Sequence, residues 1–211
     1  MADSIDQRVP TVLTSRFVDA VSYAFGLHLD QTRKGSGVPY AGHLLGVCSL
    51  VLEAGGGEDE AIAALLLDAG EDRGGEAQLA TIRERFGGNV AGIVCACSDS
   101  LLESKPDWKT RKDAYLAHLA GQPEGVLLVS LADKLFNARA ILRDYRSVGD
   151  SLWSRFSAGR DGVLWYYRSL SDSFTRIVPG SPMTVDLAEV VTELERLVAE
   201  RSTDSPSHTH L

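Results

Sequence analysis

Hydrophobic positions recur three and four residues apart along most of the chain, which is the spacing of amphipathic helices. The first such segment covers residues 11–30, and comparable segments cover residues 40–53, 61–72, 79–86, 90–97, 108–120, 126–145, 153–174 and 185–199. Glycine, proline and polar clusters separate these segments. No segment alternates with the period of two that marks a strand, and no internal repeat is visible. The pattern therefore predicts an all-α fold in a single domain.

One segment combines an unbroken apolar run with a cluster of carboxylates. The run from Ala61 to Leu67 is too short to cross a bilayer and predicts a buried helix. Asp68, Glu71 and Asp72 follow at i, i+3 and i+4, so they are expected on one face of its last turn. The helix dipole and their mutual repulsion both oppose charge there, so a cation should compensate. On these residues alone, a divalent metal ion and an Arg or Lys side chain meet this need equally well.

Two further polar residues interrupt apolar helical segments. His43 lies within the segment at 40–53, and Asp133 lies within the segment at 126–145. Taken singly, His43 fits a hydrogen-bonded core histidine and Asp133 fits a buried salt bridge. Together with Asp68, they offer one imidazole and two carboxylates, a donor set that suits Mn²⁺ or another divalent ion. Three such residues on three apolar helices favour the metal interpretation.

Cationic and amide side chains accompany these acids. Arg33 and Lys34 lie in a glycine-containing loop just before a helix start, where backbone and side-chain donors can hold phosphate. Asn137 is four residues after Asp133 and shares its helix face, where it could hydrogen-bond a ligand. The remaining histidines have weaker claims, and His28 is expected on a helix surface. The cysteines, which are expected to be buried reduced thiols, are Cys48, Cys95 and Cys97.

Composition narrows the class of protein. The chain has 211 residues with 44% hydrophobic and 24% charged content, which suits one globular domain. A net charge of −8 argues against general nucleic-acid binding, although a local basic pocket remains compatible with it. Neither a signal-peptide pattern nor a membrane-spanning run is present, which predicts a cytoplasmic protein without membrane contact. Residues 1–10 are expected to be a frayed lead, residues 11–200 the domain, and residues 201–211 a disordered polar tail. The sequence is also compatible with a homo-oligomer.

Four motifs in order carry a resemblance to a known family. They are His28-x-x-Gln-x-Arg-Lys-x-x-x-x-Pro-Tyr40, His43-Leu-Leu-Gly46, Ala64-Leu-Leu-x-Asp-Ala-x-Glu-Asp72 and Leu131-Ala-Asp-Lys-Leu-x-Asn-Ala-Arg139. This set resembles the HD-domain (p)ppGpp hydrolases, which include the small alarmone hydrolases and the hydrolase half of the RelA/SpoT proteins. The similarity extends from about Phe17 to about Tyr167.

The resemblance implies a fold, a metal and a reaction. It implies a helical HD-domain bundle that holds one Mn²⁺ through His43, Asp68 and Asp133. It implies that Glu71 and Asp72 position or deprotonate the attacking water. The family reaction removes the 3′ pyrophosphate from a guanosine alarmone, a small phosphorylated nucleotide. The residues that the resemblance places near nucleotide and phosphates are Arg33, Lys34, Tyr40, Lys134 and Asn137.

The main departure from the family pattern is Leu67, which stands where the family has the histidine of its His-Asp pair. Leucine has no lone pair to donate, so metal binding is expected to be weakened or lost. Even the loss of a residue that supports a metal ligand commonly costs ~10–100-fold in affinity or activity. Two hypotheses follow. The chain is a hydrolase of (p)ppGpp or of a related phosphorylated nucleotide, which we favour, or it is a degenerate HD domain that binds a nucleotide or partner without turnover.

Overall fold

The computed structural model describes residues 10–72, 75–98 and 106–204, and these residues are predominantly helical. The helices are α1 Ser15–Leu27, α2 Ala41–Glu53, α3 Glu58–Leu66, α4 Ala69–Asp72, α5 Gly75–Phe86, α6 Gly88–Cys97, α7 Trp108–Leu119, α8 Glu124–Val148, α9 Gly159–Ile177 and α10 Pro182–Asp204. A 3₁₀ helix covers Gly149–Arg155. Within these described ranges there is no β-strand, only an isolated bridge between Thr32 and Pro39. The predicted all-α fold is confirmed.

The chain divides into two compact units, residues 1–133 and residues 134–211. The first unit is organised around α3, which packs against α1, α2 and α6. Every residue from Ala61 to Leu66 in α3 is fully buried, as the apolar run predicts. The buried face of α2 includes Leu44, Val47 and Val51. Helices α2 and α3 therefore share one core. Helix α2 carries His43, and the turn after α3 carries Asp68.

The second unit contains the remainder of α8, the 3₁₀ helix, α9 and α10. Helices α9 and α10 pack along each other, with Leu170 and Phe174 of α9 and Leu187 of α10 fully buried. An ion pair joins Arg168 of α9 to Glu195 of α10. These contacts make α9 and α10 a helical hairpin with an apolar seam and a charged edge.

The helix predicted for residues 61–72 is interrupted, and that prediction is wrong. Helix α3 ends at Leu66, Leu67 and Asp68 form a turn, and the short α4 begins at Ala69. An unbroken helix would place all three carboxylates against the negative end of one helix dipole. Asp68 therefore lies in the turn between α3 and α4.

The chain ends also differ in part from the expected boundaries. Helix α10 begins at Pro182, a residue suited to the first helical turn, and continues to Asp204. Residues 201–204 are therefore helical, and the expectation of a disordered tail from residue 201 is wrong for them. Arg201 lies over the Tyr145 ring at 5.2 Å, which extends the packed part of α10. The rest of the expected tail, residues 205–211, and residues 1–9 of the expected lead are outside the described residues.

The three cysteines do not share one environment. Cys48 and Cys97 are buried, but Cys95 is exposed, so the expectation of three buried thiols is wrong for Cys95. Residues two apart on a helix point in nearly opposite directions, so Cys95 and Cys97 cannot both face the core. Burial raises the pKa of the Cys48 thiol to about 11. Across the part of the chain that the structure describes, no helix is long and apolar enough to span a membrane.

Candidate metal centre

His43, Asp68 and Asp133 converge in the first compact unit. His43 of α2 is 2% exposed, Asp133 of α8 is 5% exposed, and Asp68 is partly buried in the turn after α3. The Nε2 atom of His43 lies 3.3 Å from Oδ2 of Asp68 and 3.3 Å from Oδ1 of Asp133. The His43 nitrogen therefore lies close to one oxygen of each carboxylate, although the three residues are far apart in the sequence.

The donor atoms around His43 Nε2 suit a divalent metal ion by their chemistry. Two ligand atoms bound to one ion at about 2.1 Å lie about 3.0–3.4 Å apart, which matches both distances from His43 Nε2. An imidazole and two carboxylates form a donor set that suits Mn²⁺ and related ions. Two carboxylates facing one imidazole also leave excess negative charge, and a bound cation would offset it in this buried setting. The chemistry of these three residues therefore fits such an ion, while no group of three or more His, Cys, Asp or Glu side chains in the described ranges is already arranged as a metal site.

Tyr40 supports this cluster directly. Its hydroxyl donates a 2.5 Å hydrogen bond to Asp68 Oδ2, the same oxygen that faces His43. Its ring also lies 5.3 Å from the His43 ring, measured between centroids. We expect Tyr40 near the nucleotide, and the structure places its hydroxyl on a carboxylate of the cluster. Helical periodicity could not reveal this contact, because it joins residues 28 positions apart.

Arg33 contacts the opposite nitrogen of the same histidine. Its Nη1 atom lies 3.1 Å from His43 Nδ1. A guanidinium only donates, so Nδ1 accepts and the proton of a neutral imidazole lies on Nε2, facing the two carboxylates. Binding of a metal through Nε2 would move that proton to Nδ1 and end the Arg33 contact.

A short loop holds Arg33 and Tyr40. The Arg33 N–H donates to the Val38 carbonyl at 2.8 Å, and the Tyr40 N–H donates to the Gln31 carbonyl at 2.9 Å. Gly37 has a φ of 69°, a left-handed conformation that glycine adopts at little cost. Lys34 lies in the same loop and is exposed. The loop therefore fixes Arg33 and Tyr40 by its backbone and leaves Lys34 facing solvent.

His28 begins this loop and is not on a helix surface, so that expectation is wrong. Helix α1 ends at Leu27, three residues earlier than the predicted segment, and His28 caps it with its side chain turned inward. The residue is 2% exposed. Its Nδ1 atom lies 2.7 Å from Gln31 Oε1, and its ring lies 5.1 Å from the Tyr40 ring. His28 is therefore part of the support of Tyr40.

The other predicted site residues lie on α4 and α8. Glu71 and Asp72 belong to α4, and their side chains are outside the described part of the structure. Lys134 and Asn137 follow Asp133 on α8, belong to the second compact unit and are partly buried. Leu67 is 4% exposed, directly before Asp68, and supplies no donor atom. The structure thus brings His43, Asp68 and Asp133 close together and places a buried leucine directly before Asp68.

Comparison with known proteins identifies the family. A family model described as the HD domain matches residues 20–164, more than half of the chain. The chain belongs to the HD-domain family. Within it, the guanosine-3′,5′-bis(diphosphate) 3′-pyrophosphohydrolase MESH1 of Xenopus tropicalis is 34% identical over 129 residues, which cover 60% of this chain and 69% of the relative. The human MESH1 is 31% identical over 132 residues, which cover 61% of this chain and 71% of the relative.

Solved structures agree with this family assignment. A structure of a metazoan ortholog of SpoT that hydrolyses ppGpp has a TM-score of 0.71 and 24% identity, covering 89% of this chain and 99% of that one. The crystal structure of lmo0812 from Listeria monocytogenes has a TM-score of 0.65 and 28% identity, covering 74% of this chain and 99% of that one. Both likenesses support the fold.

Proposed function

We propose that this HD-domain protein hydrolyses the 3′ pyrophosphate of (p)ppGpp, or of a closely related phosphorylated nucleotide, in a reaction that depends on Mn²⁺. The observation that carries the proposal is the position of His43 Nε2, which lies 3.3 Å from a carboxylate oxygen of Asp68 and 3.3 Å from one of Asp133. The MESH1 relatives support the substrate class, since each is named a guanosine-3′,5′-bis(diphosphate) 3′-pyrophosphohydrolase.

His43, Asp68 and Asp133 would hold the ion. When bound, Mn²⁺ lowers the pKa of a coordinated water and offsets charge that develops on phosphate oxygens. Tyr40 keeps the Asp68 carboxylate oriented through its hydroxyl, which leaves the second lone pair of Oδ2 for the metal. The burial of His43 and Asp133 excludes bulk water from two of the three ligands and thereby strengthens their electrostatic interactions.

The remaining roles belong to charged and amide side chains around this centre. We assign Arg33 and Lys34 to phosphate binding, because they are neighbouring cations in one loop. Arg33 contacts His43, and Lys34 is exposed to solvent. Lys134 and Asn137 are assigned to the nucleotide, since they follow Asp133 on the same helix. Glu71 and Asp72 are assigned to the attacking water, as the base that accepts its proton and the group that orients it.

The second candidate function is nucleotide binding without turnover. The buried Leu67 favours it, because an apolar side chain beside Asp68 offers the metal nothing in place of a ligand. Three protein ligands nevertheless suffice in many catalytic metal sites, where water completes the coordination. The cluster retains three proposed ligands, His43, Asp68 and Asp133, so we favour hydrolysis over binding without turnover.

One experiment separates the two functions. Pyrophosphate release from ppGpp is measured for the purified chain with and without Mn²⁺, while equilibrium binding of ppGpp is measured in parallel. Asp133→Asn serves as the matched variant, since it removes one proposed ligand with little change in shape. Mn²⁺-dependent release that Asp133→Asn abolishes supports the hydrolase. Tight ppGpp binding without release at any Mn²⁺ concentration supports the binding protein and rejects the hydrolase.

A further inference from the structure

His28 occupies a buried position that helix packing alone does not explain. It is 2% exposed, and its Nε2 atom has no hydrogen-bond partner among the residues that the structure describes. A buried polar atom without a partner is unfavourable, and a phenylalanine would fill similar space without it. The polar contact that offsets this cost is the 2.7 Å bond between Nδ1 and the side-chain oxygen of Gln31. The His28–Gln31 contact therefore needs its own explanation.

Gln31 links this contact to Tyr40. Its side-chain oxygen accepts from His28, and its backbone carbonyl accepts the N–H of Tyr40 at 2.9 Å. The backbone N–H of Gln31 in turn donates to the His28 carbonyl at 3.1 Å. His28 and Gln31 thus hold each other through two bonds, and one of them holds the backbone of Tyr40.

The His28 ring also supports the Tyr40 ring. Ring centroids are 5.1 Å apart between His28 and Tyr40, and 5.3 Å apart between Tyr40 and His43. The three aromatic rings form a row that ends at the cluster. A shift of the Tyr40 ring would move its hydroxyl relative to Asp68 Oδ2, which it contacts at 2.5 Å. The direction of the Asp68 carboxylate therefore depends on how firmly His28 and Gln31 hold Tyr40.

We propose that His28 and Gln31 are a positioning pair for the metal centre, acting through the Tyr40 hydroxyl on Asp68. The inference rests on the proposed function in one respect, the metal held by His43, Asp68 and Asp133. Neither His28 nor Gln31 is a ligand. Their effect is to keep Tyr40 in the one orientation that presents the Asp68 carboxylate toward His43. In a centre that lacks a ligand at Leu67, each remaining ligand carries more of the metal affinity, so this support matters more.

The test is a double-mutant cycle read out as Mn²⁺ affinity by electron paramagnetic resonance of the free ion, with no substrate present. Tyr40→Phe removes only the hydroxyl, and His28→Phe keeps a ring but removes the Nδ1 donor. We expect each single variant to weaken Mn²⁺ binding by about tenfold, the usual effect of losing a residue that supports a metal ligand. The double variant should bind no more weakly than Tyr40→Phe alone, because both changes act through one hydrogen bond.

Gln31 provides a second route that does not depend on the His28 variant. Gln31→Met removes the acceptor of Nδ1 at similar size and should weaken Mn²⁺ binding like His28→Phe. Gln31→Glu restores an acceptor oxygen and should recover affinity close to that of the parent. Cys48→Ala is the control, because it opens space in the buried face of α2 outside the aromatic row. It should lower the melting temperature without changing Mn²⁺ affinity.

The outcomes separate this inference from the function on which it rests. A parent chain that binds no Mn²⁺ rejects the metal centre and the inference together. A parent that binds Mn²⁺ while His28→Phe and Gln31→Met leave the affinity unchanged rejects the inference alone. Losses that multiply to about a hundredfold in the double variant also reject it, since His28 would then act independently of Tyr40.

Discussion

Replacing Leu67 by histidine would restore the ligand that the family pattern has at this position. Leu67 is 4% exposed, so nearly its whole side chain contributes to the core. We expect two opposing effects. The metal-free variant should be less stable than the parent, because a polar ring replaces a buried aliphatic side chain. The Mn²⁺-loaded variant should regain stability, because an additional nitrogen donor tightens metal binding.

The two effects have similar size. Burial of a leucine side chain contributes ~1.5–3 kcal/mol, most of which the substitution forfeits. For a chain of this length, 1 kcal/mol changes the melting temperature by roughly 2–4 °C, so the metal-free variant should melt about 3–12 °C lower. A gain in Mn²⁺ affinity of ~10–100-fold corresponds to about 1.4–2.7 kcal/mol at saturating metal. Saturating Mn²⁺ should therefore return the variant close to the parent.

The assay is thermal unfolding followed by circular dichroism, with excess chelator and with saturating Mn²⁺. Leu66→His is the matched control, because Leu66 is the preceding residue, is fully buried and makes the same chemical exchange away from the proposed ligand position. Its melting temperature should fall in chelator and gain no more from Mn²⁺ than the parent gains. Equal gains for Leu66→His and Leu67→His, or a smaller gain for Leu67→His than for the parent, would refute the assignment of position 67.

Three further perturbations follow from the structure. Arg33→Ala should tighten Mn²⁺ binding about two- to fivefold, because it removes a positive charge beside His43. The same variant should weaken ppGpp binding ~10–100-fold, because it removes a charged hydrogen-bond donor to phosphate. Isothermal titration calorimetry measures both affinities. Gly56→Ala should lower the free energy of unfolding by ~1–3 kcal/mol in urea, because a Cβ there would lie 2.6 Å from a side-chain carbon and 2.9 Å from a backbone oxygen. In native protein, iodoacetamide should label the exposed Cys95 and spare Cys48. The Cys48 thiol is buried and its pKa is raised to about 11, so little reactive thiolate is present. Peptide mass spectrometry measures the labelling of each cysteine.

Each of these has a clear contrary result. A loss of Mn²⁺ affinity in Arg33→Ala would mean that this side chain supports the metal ligands rather than competing with them. The control for Gly56 is Gly92→Ala, where a Cβ meets nothing within 4 Å and a helical alanine should be neutral or stabilise by up to ~1 kcal/mol. Equal effects at the two glycines would contradict the packing around Gly56. Labelling of Cys48 at the rate of Cys95 without unfolding would contradict its burial.

The buried helix and the convergence of the acids illustrate what could be predicted before the structure. The run from Ala61 to Leu66 predicts burial because helix formation and apolar character are local properties, and the prediction is confirmed. The grouping of His43, Asp68 and Asp133 required more, because residues on three helices meet only through tertiary packing. The family resemblance supplied that information, since it relates each motif to a position in a known bundle.

The contacts of Tyr40 and His28 around the candidate metal centre could not be predicted from the sequence. The Tyr40 contact with Asp68 depends on where α3 ends, and the predicted helix over residues 61–72 concealed that ending. The burial of His28 depends on α1 stopping at Leu27, and periodicity locates a helix end less well than it locates a helix. The choice of Mn²⁺, the cytoplasmic location and any oligomer stay predictions from the sequence.

The proposed hydrolysis depends on a metal ion held by His43, Asp68 and Asp133 in a chain that has leucine at position 67. The direct measurement is the number of Mn²⁺ ions bound per chain, by electron paramagnetic resonance, for the parent and for Asp133→Asn. We predict one ion per parent chain and its loss in the variant. An absence of bound Mn²⁺ in the parent, or equal binding by both proteins, would contradict the metal centre and leave nucleotide binding without turnover as the function to pursue.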